Sequence, residues 1–455
     1  VGAPRGPTDV LAIVESRADV ASERIADALR EGADWDVHED ASRPDGDGGG
    51  TYHRTDGAEL RTFDGLHIEL EEPAAAFECD PDLLVFASRH SGETGPLLSG
   101  HFTGNFGPAE FGGEDGRFAE AAPNALPALL AAFDEHAPEE YDVGTECTHH
   151  GPTDVGCPSL FVELGSDDEQ WTDPAGAAAV ARAILDLRGV SPHRERQVVG
   201  FGGGHYAPRF ERIIRETPWA VGHVGSEWAM EAMGLPESNR ATIGRAFEES
   251  SAAHAVVEGD RPALETTVED LGYRVVSERW LRTVGDRPLA LVDRVEDALG
   301  PIDEGIRFGE ARGEFAVRPL PTELLRAAEG IDADRTRELL EGEAVAFETR
   351  EGGNRIGSRV ALPEADTGER AKAVLEELLE VLRERYDEVS VGVDEVRAHE
   401  TAFDPERARE LGVPEGPAFG RLSGGEAVEI AGEEIGPDEV SGERVDRFPL
   451  PDGWG

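Results

Sequence analysis

Lysine is almost absent from this chain: Lys372 is the single lysine among 43 basic residues, the rest being arginine. Cysteine is nearly as scarce. Cys79, Cys147 and Cys157 form an odd, sparse set, which excludes a disulfide framework and points to a reducing compartment. Long apolar runs are missing too. No stretch approaches the roughly 20 residues needed to span a bilayer. Val1–Thr8 lacks a basic region followed by an apolar run, so it does not read as a secretory signal. These absences together predict a cytoplasmic protein.

Acidic side chains, by contrast, are abundant: 95 against 43 basic, a net charge of −52. Such an imbalance with few apolar residues would produce disorder. Here 39% of residues are hydrophobic and fall into short ordered runs, so the charge predicts a halophilic protein folded in concentrated salt. At about 1 M salt the Debye length is only about 3 Å. Self-repulsion is then screened, and the negative charge does not exclude a nucleic-acid partner.

At 455 residues, two domains are expected. Val10–Val14 reads as a buried strand, followed by a helix with Ala21, Ile25, Ala28 and Leu29 on one stripe. Residues 40–57 are polar and glycine-rich and read as a mobile surface insertion. Strand-like runs recur at Leu66–Leu70, Leu83–Ala87, Tyr141–Thr145, Ser159–Leu164, Gln197–Gly200 and Ala220–Val224. Helical patterns lie between several of them, at Ala125–Glu135, Pro174–Leu187 and Pro208–Arg215. The alternation predicts an α/β fold with a mixed, mainly parallel sheet flanked by helices, closed by strands at Ala255–Val257 and Tyr273–Ser277 and ending near Arg282. Residues 283–455 read as a smaller α+β domain. It has hairpins at Ala344–Leu362 and Ser423–Glu434, a charged helix at Gly368–Tyr386 and a strand at Glu388–Val393.

Histidines cluster beside turn residues just after predicted strands. His90 follows Phe86–Arg89, and His101 opens HFTGN. Glu146, Cys147, His149 and His150 precede Gly151-Pro152, and His205 follows Gly202-Gly203-Gly204. Ligands of open α/β sheets bind outside the carboxyl ends of strands, so these loops are expected to converge there. Imidazole suits Zn²⁺, and a catalytic zinc with an open position lowers the pKa of water toward about 7. Glu146 or Glu163 then completes the ligand set or acts as general base. A lone strand-end histidine is as readily a hydrogen-bonded turn residue; only the set together argues for a site. His149 and His150 can serve one site only if the chain has already left the strand, since adjacent strand residues point opposite ways. Cys147 and Cys157 read as small buried packing residues. Ser88, Ser91 and Thr153 are polar neighbours without a G-x-S-x-G elbow. The glycine run lets backbone N–H groups approach an anion, and it is not a G-x-G-x-x-G fingerprint. Between His193 and Arg215 five arginines face two glutamates. A positive stretch in so acidic a chain suggests phosphate contact by Arg209 and Arg212, or else a set of surface ion pairs.

The segments FASRHSGETG at 86–95, HFTGNFG at 101–107, TECTHHGPTDVGCPSLFVELGSDDEQW at 145–171 and GFGGGHYAPRF at 200–210 resemble the archaeal and plant type of D-aminoacyl-tRNA deacylase. LAIVESRADVASERI at 11–25 and Val221-Gly222-His223 continue the likeness, which runs from about Val10 to Arg282. The resemblance implies a sheet of the phosphorylase and peptidyl-tRNA hydrolase type, zinc, and hydrolysis of the ester joining a D-amino acid to the acceptor end of tRNA. It makes His149, His150, Glu146 and His205 the expected catalytic residues. The expected metal ligands are His90, His101, His149, His150, His205 and Glu163. Gly203, Gly204, Arg209, Arg212 and His223 are expected to meet substrate. Neither DNA nor a membrane is an expected partner. Another metal-dependent amidase or nucleoside hydrolase on the same sheet, and a non-catalytic binder of the tRNA 3′ end, are the alternatives. Residues 283–455 lie outside this resemblance. Leu411–Leu422 alone is similar to a short segment of metallo-β-lactamase-type tRNA 3′-processing nucleases, where a turn plus hairpin is expected.

Overall fold

Strand β1 (Leu11–Ser16) is buried along its whole length, as a strand covered on both faces must be. Asp19, just beyond it, caps the helix Val20–Gly32, its carboxylate accepting from the Ala21 and Ser22 amides. The structure, a computed structural model, describes residues 10–454; the Val1–Thr8 stretch read for a signal lies outside them. The chain divides into two compact units, Val1–Gly285 and Asp286–Gly455.

The first unit holds two sheets. The larger adds β2 (Asp36–Asp40), β3 (Gly50–Thr55), β4 (Ala58–Phe63), β5 (Leu83–Arg89), β6 (Leu97–His101), β7 (Asp142–Thr145) and β8 (Ser159–Gly165), in the order β2-β3-β4-β1-β5-β8-β6-β7. Pairings β4–β1–β5–β8 are parallel, β6–β8 is antiparallel and β6–β7 is parallel again. The second sheet, β9 (Gln197–Phe201), β10 (Ala220–Gly225), β11 (His254–Val257) and β12 (Arg274–Val275), is wholly parallel in the order β10-β9-β11-β12. The helices Val20–Gly32, Ala125–His136 and Pro174–Asp186 pack together beside the large sheet. Gly100 and Gly176 allow that approach: a Cβ on Gly100 would meet Leu129, and one on Gly176 would meet Leu164. Even-numbered residues of β6 and β8 therefore face helices, and odd-numbered ones face the other side.

Two expectations fail here for identifiable reasons. Leu66–Leu70 is not a strand; His67–Glu69 form a 3₁₀ turn whose histidine is buried, because periodicity over five residues cannot separate the two. Residues 40–57, expected as a mobile insertion, include β3, which pairs with β2 on one side and β4 on the other. The glycines there serve close packing, since a Cβ on Gly49 would fall 2.1 Å from the Arg43 carbonyl oxygen.

The second unit is α+β. Ala346–Arg350 and Arg355–Pro363 form the expected hairpin within a four-stranded sheet. The helix Thr367–Arg383 buries Ala371, Val374, Leu375, Leu378, Leu379 and Leu382 in a shared core. Val428–Ile430 and Glu433–Ile435 form a second hairpin. Within Leu411–Leu422 the chain forms not a hairpin but the start of a helix, Pro417–Ser423, consistent with proline at the first helical position. Among the described residues no helix is long and apolar enough to cross a membrane.

Candidate active site

The site is built on a sheet face rather than at a sheet edge. Register sets Ser99 against Glu163 and His101 against Phe161, so Ser99, His101 and Glu163 share one face of the sheet. β6 and β7 run against β8, so their carboxyl ends do not meet that of β5 at a common edge; the expectation of loops gathered outside one edge is corrected accordingly. His90 arrives directly after β5, and β7 leads into Glu146–Gly151. The adjacent pair His149–His150 reaches one cluster because His150 adopts a left-handed backbone, φ 44°, which re-aims its side chain. From the second sheet, β9 ends in Gly202–His205. Gly202 has φ +111°, and a Cβ there would fall 2.9 Å from the Glu258 carbonyl oxygen. The Cys147 amide donates to the His205 carbonyl at 2.7 Å, tying the two sheets' loops together.

Five imidazoles meet here. The rings of His101 and His149 stack at 4.3 Å, and His149 lies 4.4 Å from His150 and 4.8 Å from His205. Backbone carbonyls fix three tautomers. Nδ1 of His101 faces the Phe102 oxygen at 3.2 Å, that of His149 the Cys147 oxygen at 2.9 Å and that of His150 the Gly151 oxygen at 2.6 Å. A carbonyl only accepts, so each Nδ1 carries a proton, and the Nε2 of each ring presents a lone pair when that ring is neutral, as in metal-binding histidines. The His101 Nε2 is buried without a hydrogen bond, with the Glu163 carboxylate 3.7 Å away; a cation held between them would satisfy both. His101, His149 and His150 thus fit a metal ion. Two further sets bring their donor atoms equally close: Cys147 with His149 and His205, and His90 with Glu146 and His205.

Glu146 is the electrostatic centre. Its Oε2 lies 2.7 Å from His205 Nε2, 3.6 Å from His90 Nε2 and 3.9 Å from His149 Nε2, while Ser99 donates to Oε1 at 2.5 Å. Burial opposes its charge, but the His205 hydrogen bond and the surrounding imidazoles prevail and hold the carboxyl well below its usual range. The Cys147 sulfur and then Glu146 raise His205 to about 10. Burial, then the neighbouring imidazoles, push His149 far down, and burial and His101 bring His150 to about 3. Burial raises Glu163, which faces His101 Nε2 at 3.7 Å.

A cavity of about 490 Å³ opens over the cluster, lined by His90, Glu146, His149, His150, Glu163 and His205. Its lining also includes residues the sequence did not single out: Asp19, His67, Phe111, Phe161 and Trp228. Cys147, read as packing, belongs to a donor set; its position two residues before His149 was the available signal. Cys157 does pack in the core, where burial pushes its thiol up to about 12.

Several expected substrate contacts lie elsewhere. His223 is wholly buried; its Nε2 donates to the Ala119 carbonyl at 2.9 Å and its Nδ1 meets the Thr148 hydroxyl at 3.1 Å. Both ring nitrogens are satisfied, so it is a core residue and does not meet substrate. Arg212 forms a bidentate pair with Glu278 at 2.7 and 3.1 Å, and Arg209 shares that carboxylate at 3.5 Å while donating to the Val257 carbonyl. Glu278 therefore engages both arginines, and neither lines the cavity. Gly203 and Gly204 stand outside the lining as well; the Gly203 carbonyl accepts from the Glu227 amide.

Against known proteins, residues 77–276 match the family described as D-aminoacyl-tRNA deacylase. A D-aminoacyl-tRNA deacylase of Natronomonas pharaonis is 56% identical over 96% of this chain and 100% of its own length. The chain belongs to the D-aminoacyl-tRNA deacylase family. The deacylase of Methanoregula boonei is 32% identical over 97% of this chain and 98% of its own. Deacylase relatives thus extend through residues 283–455, which the sequence reading set outside the shared region because every recognised motif lies before them. A solved structure described as a conserved protein of unknown function shares 27% identity with a TM-score of 0.54, covering 60% of this chain and 97% of its own.

Proposed function

We propose that this enzyme hydrolyses the ester between a D-amino acid and the 3′-terminal ribose of tRNA, in a salt-rich cytoplasm, with zinc held by the histidine cluster. The observation that carries the reading is the convergence of His101, His149 and His150 lone pairs beside the Glu146–His205 pair, within a cavity, in a chain of this family. Imidazole with sulfur and carboxylate neighbours suits zinc, which would supply Lewis acidity and lower the pKa of water. Glu146 takes the proton of the attacking water at Oε2. His205, sharing that carboxylate through Nε2, hands a proton to the leaving ribose oxygen as the carbonyl carbon–oxygen bond breaks. His90 stands on the other side of Glu146, its Nδ1 fixed by the Ser166 hydroxyl at 3.1 Å. The test is hydrolysis of D-Tyr-tRNA against L-Tyr-tRNA in molar KCl, with and without a chelator. Selective, chelator-sensitive release of D-tyrosine is expected; equal rates on the two enantiomers would remove the chirality, and insensitivity with no bound metal would remove zinc.

A further inference from the structure

Two large aromatic side chains stand exposed at the cavity that holds the cluster: Phe111 at 65% and Trp228 at 49%. Both rest on backbone bound to the histidine loops. The Phe111 carbonyl accepts from the Gly151 amide at 2.9 Å, next to His150. Trp228 follows Glu227, whose amide donates to the Gly203 carbonyl at 2.9 Å, two residues before His205. The two carriers also close on each other, since a Cβ on Gly107 would meet Ala232 at 2.8 Å. The exposed rings are thus held in fixed backbone rather than on free loops.

We infer that Phe111 and Trp228 form a stacking platform for the 3′-terminal nucleobase of the tRNA, an inference that rests on the deacylase reading. Scattered exposed apolar side chains are ordinary, but two large rings exposed at one cavity mark a surface for an apolar partner. Phosphate attraction is weak here: the chain carries −52, and Arg209 and Arg212 are engaged by Glu278. Long-range attraction to phosphate also falls steeply with salt. Base stacking on an aromatic ring is sequence-tolerant and needs no charge, so it persists where phosphate contacts fail. The geometry orders the substrate: the ester goes inward to Glu146 and His205, and the nucleoside attached to it trails at the rim.

The test uses the full chain in molar KCl and an RNA oligomer ending in CCA with 2-aminopurine at its last position. Stacking quenches the probe. Quenching is expected with the wild type and with Trp228→Phe, and is expected to be lost with Trp228→Ala and Phe111→Ala. The alanine variants should raise KM for D-Ala-tRNA and D-Tyr-tRNA alike by about tenfold with kcat little changed. Undiminished quenching in the Phe111→Ala, Trp228→Ala double variant would overturn the platform. A KM effect confined to D-Tyr-tRNA would overturn it too, by assigning the rings to the amino-acid side chain. Absence of turnover by the wild type would instead refute the deacylase reading, and the quenching arm would still decide whether the rings stack on a base.

Discussion

The Nε2 of His205 lies 2.7 Å from Oε2 of Glu146, joining a loop of the second sheet to a loop of the first. One carboxylate is thereby shared among three histidines of the cavity lining, His205, His90 and His149. Glu146→Gln keeps the volume and removes the charge. Turnover of D-Tyr-tRNA should fall by about 100-fold or more with the fold intact by circular dichroism. Wild-type turnover in this variant would exclude Glu146 as the proton acceptor.

Metal content separates the cluster from its neighbours. His101 presents a buried Nε2 that makes no hydrogen bond, whereas both nitrogens of His223 are occupied. His101→Ala should lower the zinc-to-protein ratio measured after dialysis in molar KCl, and His223→Ala should leave that ratio unchanged. Equal ratios in the two variants would show that His101 holds no metal.

His223 also sets a pH dependence. Burial lowers its folded value to about 3 from an ordinary 6.5. Both states are neutral above pH 6.5, so its contribution to stability is complete there. As pH falls below that value the unfolded chain takes up a proton that the folded chain refuses, and stability is lost down to about pH 3. One such group contributes a slope of about 1.4 kcal/mol per pH unit. Denaturant melts of the wild type and His223→Gln between pH 7 and 5 should differ in slope by about that amount; parallel slopes would show that His223 titrates freely.

What could be read from the sequence follows the physics of each signal. The His149–His150 pair was legible because Gly151-Pro152 announces a chain already leaving its strand. Pro208 and Pro174 fixed helix starts, and the hairpin within Ala344–Leu362 was legible. His223 misled because residue type does not reveal which partners a strand side chain meets, and every residue of its strand is buried. The reversal of β6 was not legible either: the short link from β5 gives no sign that β8 will insert between them. Arg209 and Arg212 looked free because their partner, Glu278, lies 66 residues beyond Arg212.

That partnership predicts the outcome at the arginines. Arg212 and Arg282 hold Glu278 down at about 2, and these groups line no part of the cavity. Arg212→Ala should leave KM for D-aminoacyl-tRNA within error and lower stability only slightly, as the loss of an exposed pair does. Steady-state kinetics and urea melts in molar KCl check both halves. A raised KM with unchanged stability would return this arginine to phosphate binding.

Salt is the last lever, and its direction follows from charge alone. A net −52 on 455 residues makes the compact state self-repelling. Arginine–carboxylate contacts such as Arg212–Glu278 act at 2.7 Å, within the Debye length of about 3 Å at about 1 M salt. Repulsion between scattered surface carboxylates acts over longer distances and is screened out. Added KCl therefore removes more repulsion than attraction, and Tm should rise continuously between about 0.1 M and about 2 M KCl. Glucose at matched osmolarity should reproduce only a part of that rise, because it leaves the repulsion unscreened. An equal Tm at both salt concentrations would show that the acidic surface is not a device for concentrated salt.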